Sequence, residues 1–532
     1  MKQRILNSIF CFLCLLAQAQ HEFHVFPNGK STGNGTLQNP WDLQTALSQK
    51  TNVVNGGDTI WLHQGIYNGR FLSTIASDID QAFITVAPYL GGKVILNGNV
   101  ASNRNAVLSI KGKQVIFRDF EITSLGAFSR DENDAQFQVC AGISHTAGED
   151  CRFYNLDIHD NPGLGIGSWK WTGGSIIENC RIYFNGFVAK DGKGRGEGIY
   201  VQNTSDHVRL IQNNIIFGNY YKGIEVWSAG RDANFEYVKN ITLKDNVIFN
   251  SGLPSGNSYD NVIVATDDRN GTNFAHHINV LGNIFYHNTD YADNQVNGNA
   301  PSLTIGYVDN APAEDILVKD NIILGRNNPL RLLHVKSLTF FNNTVYGGYV
   351  FLNAGQMEYS KNWNFGNNTY FTKNNNAYRV LQDKNYSLKD WQSKFKLDID
   401  SHWNHIKDFD LMNVLGIAQN AQRPNTFRVA LFNKQGDDVE VDFSGYNLSK
   451  GSSYSIYDVE NPNEIAATGI LNGDRKVMFP MGLAKLKKPR HNEAYQKTPS
   501  NFGVFIIQFE TEKTGSVQAL NGFQKLLKWL GF

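Results

Sequence analysis

Five short segments of this chain share a pattern of alternating apolar residues, and several carry ionisable groups at matching places. Aligned on that pattern, Ile166, Ile199, Ile224, Val262 and Leu303 form one column facing a core. Ser168, Val201, Val226, Val264 and Ile305 form a second inward column. The residues between them face out: Gly167, Tyr200, Glu225, Ile263 and Thr304, then Trp169, Gln202, Trp227, Ala265 and Gly306. Just before each strand, Glu197, Lys222 and Asp260 share another column. Stacked as neighbouring strands ~4.8 Å apart, these segments bring a carboxylate, an ammonium and a second carboxylate together beside Tyr200 and Glu225. The candidate catalytic set is therefore Glu225, Glu197, Lys222, Tyr200 and Asp260. Trp169, Trp227, Gln202, Lys170 and Arg231 are the candidate substrate-binding residues, with Trp169 and Trp227 flanking the charges. Such a face suits a sugar chain, because aromatic rings stack on pyranose faces and polar groups address hydroxyls or carboxylates. The same ladder can also simply neutralise itself on a solvated sheet.

Two reactions compete for this constellation. In β-elimination on a uronic acid, something positive must neutralise the sugar carboxylate while a base removes the neighbouring C5 proton. Lys222 and Tyr200 are the candidate bases. A lysine between two carboxylates holds its proton more tightly, which disfavours it as a base unless Ca²⁺ occupies Glu197, Glu225 or Asp260. Hydrolysis instead needs two carboxyl groups, ~5 Å apart for retention or ~6.5–9.5 Å for inversion. Glu197 and Asp260, two coils apart, stand ~9.6 Å from one another in this register.

The elements that position these residues are short and repetitive. A unit of Asn followed by apolar or β-branched residues begins at Asn155, Asn179, Asn213, Asn246, Asn283, Asn321, Asn343 and Asn368, at spacings between 22 and 38 residues. Two or three strands per unit describe a parallel β-helix, in which each coil buries its apolar face only by stacking on the next. Asparagines at one place in successive coils can ladder their amides. Pro40 after Asn39 predicts a capping helix near residues 40–50, and the first coil begins at Gly57. A solenoid over residues 22–380 is followed by a linker with short helices over 381–424, one of them opening at Ser387. Alternating strands over 425–510 predict a small antiparallel β-sandwich, and residues 515–532 form an amphipathic tail. Docking on the protein is the ordinary reading of that tail, and contact with a membrane surface is the sharper one.

Composition agrees with a turn-rich β protein. The 532 residues are 18% charged and 41% hydrophobic, with 49 basic and 49 acidic side chains, 49 glycines and about sixty asparagines. That balance excludes a strongly basic nucleic-acid binder and an acidic disordered chain. Lys2 and Arg4, an apolar run from Ile5 to Leu16 and Ala17-Gln18-Ala19 fit a secretory signal cleaved after Ala19, so the chain is expected in the periplasm or outside the cell, as a monomer. Of the remaining cysteines, Cys140, Cys151 and Cys180, none stacks on another, so buried free thiols are expected.

Several stretches together resemble the secreted right-handed parallel β-helix proteins of the pectate-lyase-like superfamily: His24–Gly29 with Gly35 and Thr36, Asn39-Pro40, Gly57–Leu62, Gly65–Tyr67 and Gly196–Asn203. The resemblance spans residues 22–380 and implies that fold. Members of the superfamily include polysaccharide lyases, glycoside hydrolases, epimerases and non-catalytic adhesins. The resemblance favours a lyase and the paired carboxylates favour a hydrolase; the expectation is an exported carbohydrate-active enzyme cleaving a uronic-acid-containing polysaccharide, with elimination preferred. An inverting or retaining glycosidase and a non-catalytic carbohydrate-binding protein are the alternatives. The calcium-binding aspartate set and arginine motifs of the best-known pectate lyases are not found in the sequence. Arg231-Asp232, Asp267–Arg269, His159-Asp160 and His276-His277 rank lower, as ordinary turn residues.

Overall fold

A computed structural model describes residues 20–230, 234–267, 271–289, 300–409 and 413–510. The expected export signal at residues 1–19, the expected amphipathic tail at 515–532, Arg231, Asp232, Asp268 and Arg269 lie outside the described residues.

The chain divides into two units. The first is a parallel β-helix of three sheets, each with 12 strands. One sheet runs from Glu22–Val25 to Trp363–Gly366, the second from Gly65–Asn68 to His402–His405, and the third from Phe71–Ser73 to Asn385–Tyr386. Most strands hold three to six residues, short enough for Gly, Asn and Asp to turn the chain at each end. The third sheet carries the register read from sequence: Ile166, Ile199, Ile224, Val262 and Leu303 are consecutive partners. All five are fully buried in the core.

Asparagine has two jobs at the corner between the first and second sheets. One column adopts the left-handed conformation, which Asn and Asp tolerate better than most residues: Asn155 (φ 52°), Asn179 (φ 56°), Asn213 (φ 55°), Asp245 (φ 52°), Asp320 (φ 61°) and Asn342 (φ 56°). The next column is the amide ladder. Asn214 Nδ2 donates to Asn246 at 2.9 Å, Asn246 to Asn283 at 2.9 Å, Asn283 to Asn321 at 3.0 Å, Asn321 to Asn343 at 2.9 Å, and Asn343 to Asn368 at 3.2 Å. Asn155, Asn179 and Asn213 thus belong to the bend, one residue before the ladder where the sequence alignment placed them. Cys180 fills the ladder position in its coil, and its backbone N–H donates to Asn214 at 2.9 Å. Cys140, Cys151 and Cys180 are buried free thiols, and burial pushes Cys151 and Cys180 up to about 12.

Both ends of the stack are covered. At the N-terminal end the helix is a single turn, Leu43–Ala46, capped by Asp42, which accepts from the Thr45 N–H at 2.8 Å. It starts later than Pro40 suggests because Trp41 is taken up in a bridge to Val25. At the other end, helix Leu388–Phe395 has Ser387 as its cap and lays Trp391 on Tyr378, ring centroids 4.1 Å apart. This helix and strand His402–His405 belong to the solenoid, which therefore continues past the boundary expected at residue 380.

Lys488–Thr498 also belongs to this unit and straps across its coils. Arg490 N–H donates to Asp160 at 2.7 Å, Arg130 Nε donates to the Arg490 carbonyl at 2.7 Å, and Asn250 Nδ2 donates to Thr498 at 2.7 Å. Tyr495 packs 5.0 Å from Phe184.

The second unit, by itself, is an antiparallel pair of sheets. Five strands, Val414–Gln419, Thr426–Phe432, Phe502–Phe509, Ser453–Asp458 and Ile465–Ile470, form one; Val439–Asp442 and Lys476–Phe479 form the other. Phe427, Val441, Phe443, Ile456, Phe479 and Ile507 fill the core between them. Its first strand lies within the stretch expected to be linker. Among the described residues, no helix is long and apolar enough to cross a membrane.

Candidate active site

The outer face of the third sheet carries the column Gly167, Tyr200, Glu225, Ile263 and Thr304 in direct register, and Arg331 follows. Strand alternation is what turns these side chains away from the core. Glu197, Lys222 and Asp260 lie on consecutive coils just before the strands, with Gly198 N–H bonded to the Lys222 carbonyl and Gly223 N–H to the Asp260 carbonyl.

Four of the five candidate catalytic residues form one cluster. Lys222 Nζ donates to Glu225 Oε1 in an ion pair whose partners are both largely buried. Burial first, and then the neighbouring Glu225 charge, raise the Glu197 carboxyl well above the usual carboxylate range. Burial works against the Lys222 ammonium, yet the Glu225 carboxylate holds its pKa above the ordinary lysine value. Lys222 also lies 4.4 Å from the Tyr221 ring centroid. Tyr200, half-buried, accepts a hydrogen bond from Gln202 Nε2 at 3.0 Å. Burial and the Glu225 charge raise its phenol above the normal tyrosine value. The cluster thus holds one ion pair beside a carboxyl and a phenol that both resist ionisation.

Asp260 departs from the expectation that it would contact Lys222. It accepts from Arg331 Nη2 at 2.9 Å and from the Thr304 hydroxyl, while Arg331 Nε donates to Thr304 at 3.0 Å. A guanidinium offers several donors in a fixed fork, so it can bind Asp260 and Thr304 together. Glu197, Glu225 and Asp260 consequently do not make one calcium cage. Among the described residues, no group of three or more His, Cys, Asp or Glu side chains is arranged to hold a metal ion.

Two clefts open at the cluster. Glu197 lines one of about 490 Å³ with Glu132, Lys190, Asp191 and Arg195. Tyr200 lines another of about 530 Å³ with Trp169, Lys170, Trp171, Gln202 and Tyr237. Trp169 packs against Tyr200 with centroids 5.1 Å apart. Trp227 lines neither cleft: its ring lies 6.4 Å from Tyr307, and its carbonyl accepts from Gln202 at 3.4 Å. It therefore does not flank the charges opposite Trp169 as expected.

Sequence reasoning missed Arg331, Trp171, Tyr237 and the hairpin formed by Phe187–Val188 and Gly194–Arg195. Arg331 was the accessible one, since Leu330, Arg331 and Leu332 repeat the in-out-in pattern of the catalytic strands. His159 is a buried structural residue, bonded to Asp160 at 2.9 Å and Glu121 at 3.2 Å. His276 pairs with Glu236 at 3.0 Å at the surface of the first sheet.

Residues 85–248 match the model of the family described as the right handed beta helix region. None of the curated proteins compared with the sequence matches it. Among solved structures, the chain is similar to the pectate lyase Pel9A at 16% identity, covering 69% of this chain and 78% of that one with a TM-score of 0.43. It is similar to XylC, solved with xylose, at 12% identity, covering 91% and 99% with a TM-score of 0.45. A rhamnogalacturonan lyase gives 13% identity, 75% and 91% coverage and a TM-score of 0.43. At such identities the likeness concerns the path of the backbone. With its three stacked parallel sheets and residues 85–248 matching the right handed beta helix region, the chain folds as a right-handed parallel β-helix.

Proposed function

We propose that this protein is a carbohydrate-active enzyme that cleaves a uronic-acid-containing polysaccharide by β-elimination at the Glu197–Tyr200–Lys222–Glu225 cluster. The observation that carries this reading is the largely buried Lys222–Glu225 ion pair, next to Glu197, whose carboxyl is held well above its usual range by burial and the Glu225 charge. Asp260, the wider-spaced partner, already has its charge met by Arg331.

Elimination uses what the cluster offers. The Glu197 carboxyl and the Lys222 ammonium meet the sugar carboxylate, which acidifies the C5 proton and stabilises the enolate that forms. Glu225, the partner of Lys222, takes that proton. The C4–O4 bond breaks, a C4–C5 double bond forms, and the Tyr200 phenol, at the cleft, protonates the departing O4. Trp169 offers a stacking face beside Tyr200.

The test is incubation with a panel of polyuronates while recording ultraviolet absorbance of the unsaturated product and, separately, new reducing ends. Both signals together support elimination. Reducing ends without the chromophore would mean hydrolysis, and binding with neither signal would mean a non-catalytic sugar-binding protein. Residues 1–19 are proposed to direct export, which an intact mass showing cleavage after Ala19 would check.

A further inference from the structure

Lys170 stands on the cleft wall next to Tyr200, and strict alternation does not put it there. Ile166 and Ser168 point inward, so Lys170 should follow them into the core. The pairing with strand Ala141–Ala147 shifts instead: His145 faces Ser168 but Ala147 faces Trp171, leaving one extra residue on the Lys170 strand. A bulge of this kind bends the strand and re-aims its side chains. Here it turns Lys170 into the cleft of about 530 Å³ and leaves Trp171 53% exposed.

Aromatic rings surround the ammonium. Lys170 Nζ lies 4.6 Å from the Tyr237 ring centroid, 5.4 Å from Phe235 and 5.9 Å from Trp171. Among the described residues, no carboxylate forms an ion pair with it. Ring faces orient a cation without cancelling its full charge, so this ammonium keeps the capacity to bind an anion. Trp171 and Phe235, 5.3 Å apart, present an apolar edge beside it.

We propose that Lys170, Trp171, Phe235 and Tyr237 form a subsite for an anionic sugar residue, next to the one that reacts at Tyr200. Lys170 pairs with its carboxylate and Trp171 stacks on its ring. The subsite rests on the uronate reading above and deepens it: the enzyme selects consecutive uronic residues rather than an isolated one.

The experiment uses the full chain with Tyr200→Phe to block turnover. It titrates tetrasaccharides of galacturonate, mannuronate and glucuronate, and a neutral galactan tetrasaccharide, by calorimetry at low and high salt. On this background Lys170→Met is expected to weaken the best uronate about tenfold or more and to remove most of its salt dependence, since the ion pair is screened. Lys170→Arg should keep both, and Trp171→Ala should weaken binding at either salt concentration. Circular dichroism confirms that each variant is folded. Unchanged uronate affinity in Lys170→Met overturns the subsite. If the chain with native Tyr200 cleaves polyuronates and Lys170→Met in that chain leaves KM unaltered, the subsite alone falls; if no uronate is bound or cleaved by either chain, the uronate reading falls with it.

Discussion

Replacing Glu225 with Gln removes the charge that balances Lys222, and the structure gives both a magnitude and a pH signature. The two side chains are 11% and 8% exposed, so the pair is largely screened from water. Removing one partner of a buried pair costs about 3–5 kcal/mol, because the other charge is left uncompensated. In the native protein the Lys222 pKa is raised, so the stability it contributes is complete below about 10.4, its unfolded value, and is lost as pH climbs through the higher folded value. In Glu225→Gln, burial is no longer opposed by the carboxylate, and the folded-state pKa falls. The folded variant then sheds its proton earlier, so the stability gap between variant and native chain should narrow as pH rises from about 8 to 10. Urea unfolding followed by tryptophan fluorescence across that range measures the gap. Adding Lys222→Met should recover most of the loss, since a neutral apolar pair carries no stranded charge. A variant within about 0.5 kcal/mol of the native chain at pH 7, or a gap that stays constant with pH, would refute the buried-pair description.

Tyr200→Phe should lower turnover of a cleaved polyuronate by about 10²–10⁴-fold while leaving its binding close to native, as loss of a proton-transfer group does; a matched fall in affinity would instead make Tyr200 a binding residue. Asn321→Ala breaks the amide ladder at its centre: it strands the Asn283 N–H, which bonds Asn321 at 2.9 Å, and leaves the Asn283 amide only its bonds to the Leu243 and Leu281 carbonyls. A loss of about 2–4 kcal/mol in denaturant unfolding is expected, and an unchanged midpoint would show that neighbouring coils do not depend on the ladder. Burial opposes ionisation of Asp160, but the His159 and Arg130 side chains and the Arg490 N–H hold it down to about 2. Its stabilisation is therefore present above about 4, the unfolded value, and lost as pH falls toward 2, amounting to about 2–3 kcal/mol. Asp160→Asn should flatten that part of the acid-unfolding curve, and a profile parallel to the native one would count against the network.

The inward columns were legible because three-residue strands bounded by Gly, Asn and Asp leave one consistent alternation. Tyr200 and Glu225 then had to share the outer face, and the structure pairs them in that register. What alternation cannot show is where it breaks. The bulge that exposes Lys170 depends on the neighbouring coil rather than on Lys170 itself. Trp227 illustrates a second limit: outward is not the same as cleft-lining, because loops decide which part of a flat sheet becomes concave. Asn155 and Asn179 show a third, since left-handed corners and amide ladders both favour asparagine and lie one residue apart. Asp260 was assigned to Lys222 by adjacency, whereas the Arg331 guanidinium, two strands further along the column from Asp260, offers more donors.

The strap at Lys488–Thr498 has a practical meaning for anyone dividing this protein. The polypeptide leaves the solenoid near residue 411, builds most of the second unit, returns to the coils, and departs again at Pro499. A single cut at the first exit would strip away the Arg490 backbone that satisfies Arg130 and Asp160, and would uncover Phe184 where Tyr495 had lain. The two halves are consequently not modules that one scission can free, and a shortened version must carry the returning segment with it to keep its corner closed.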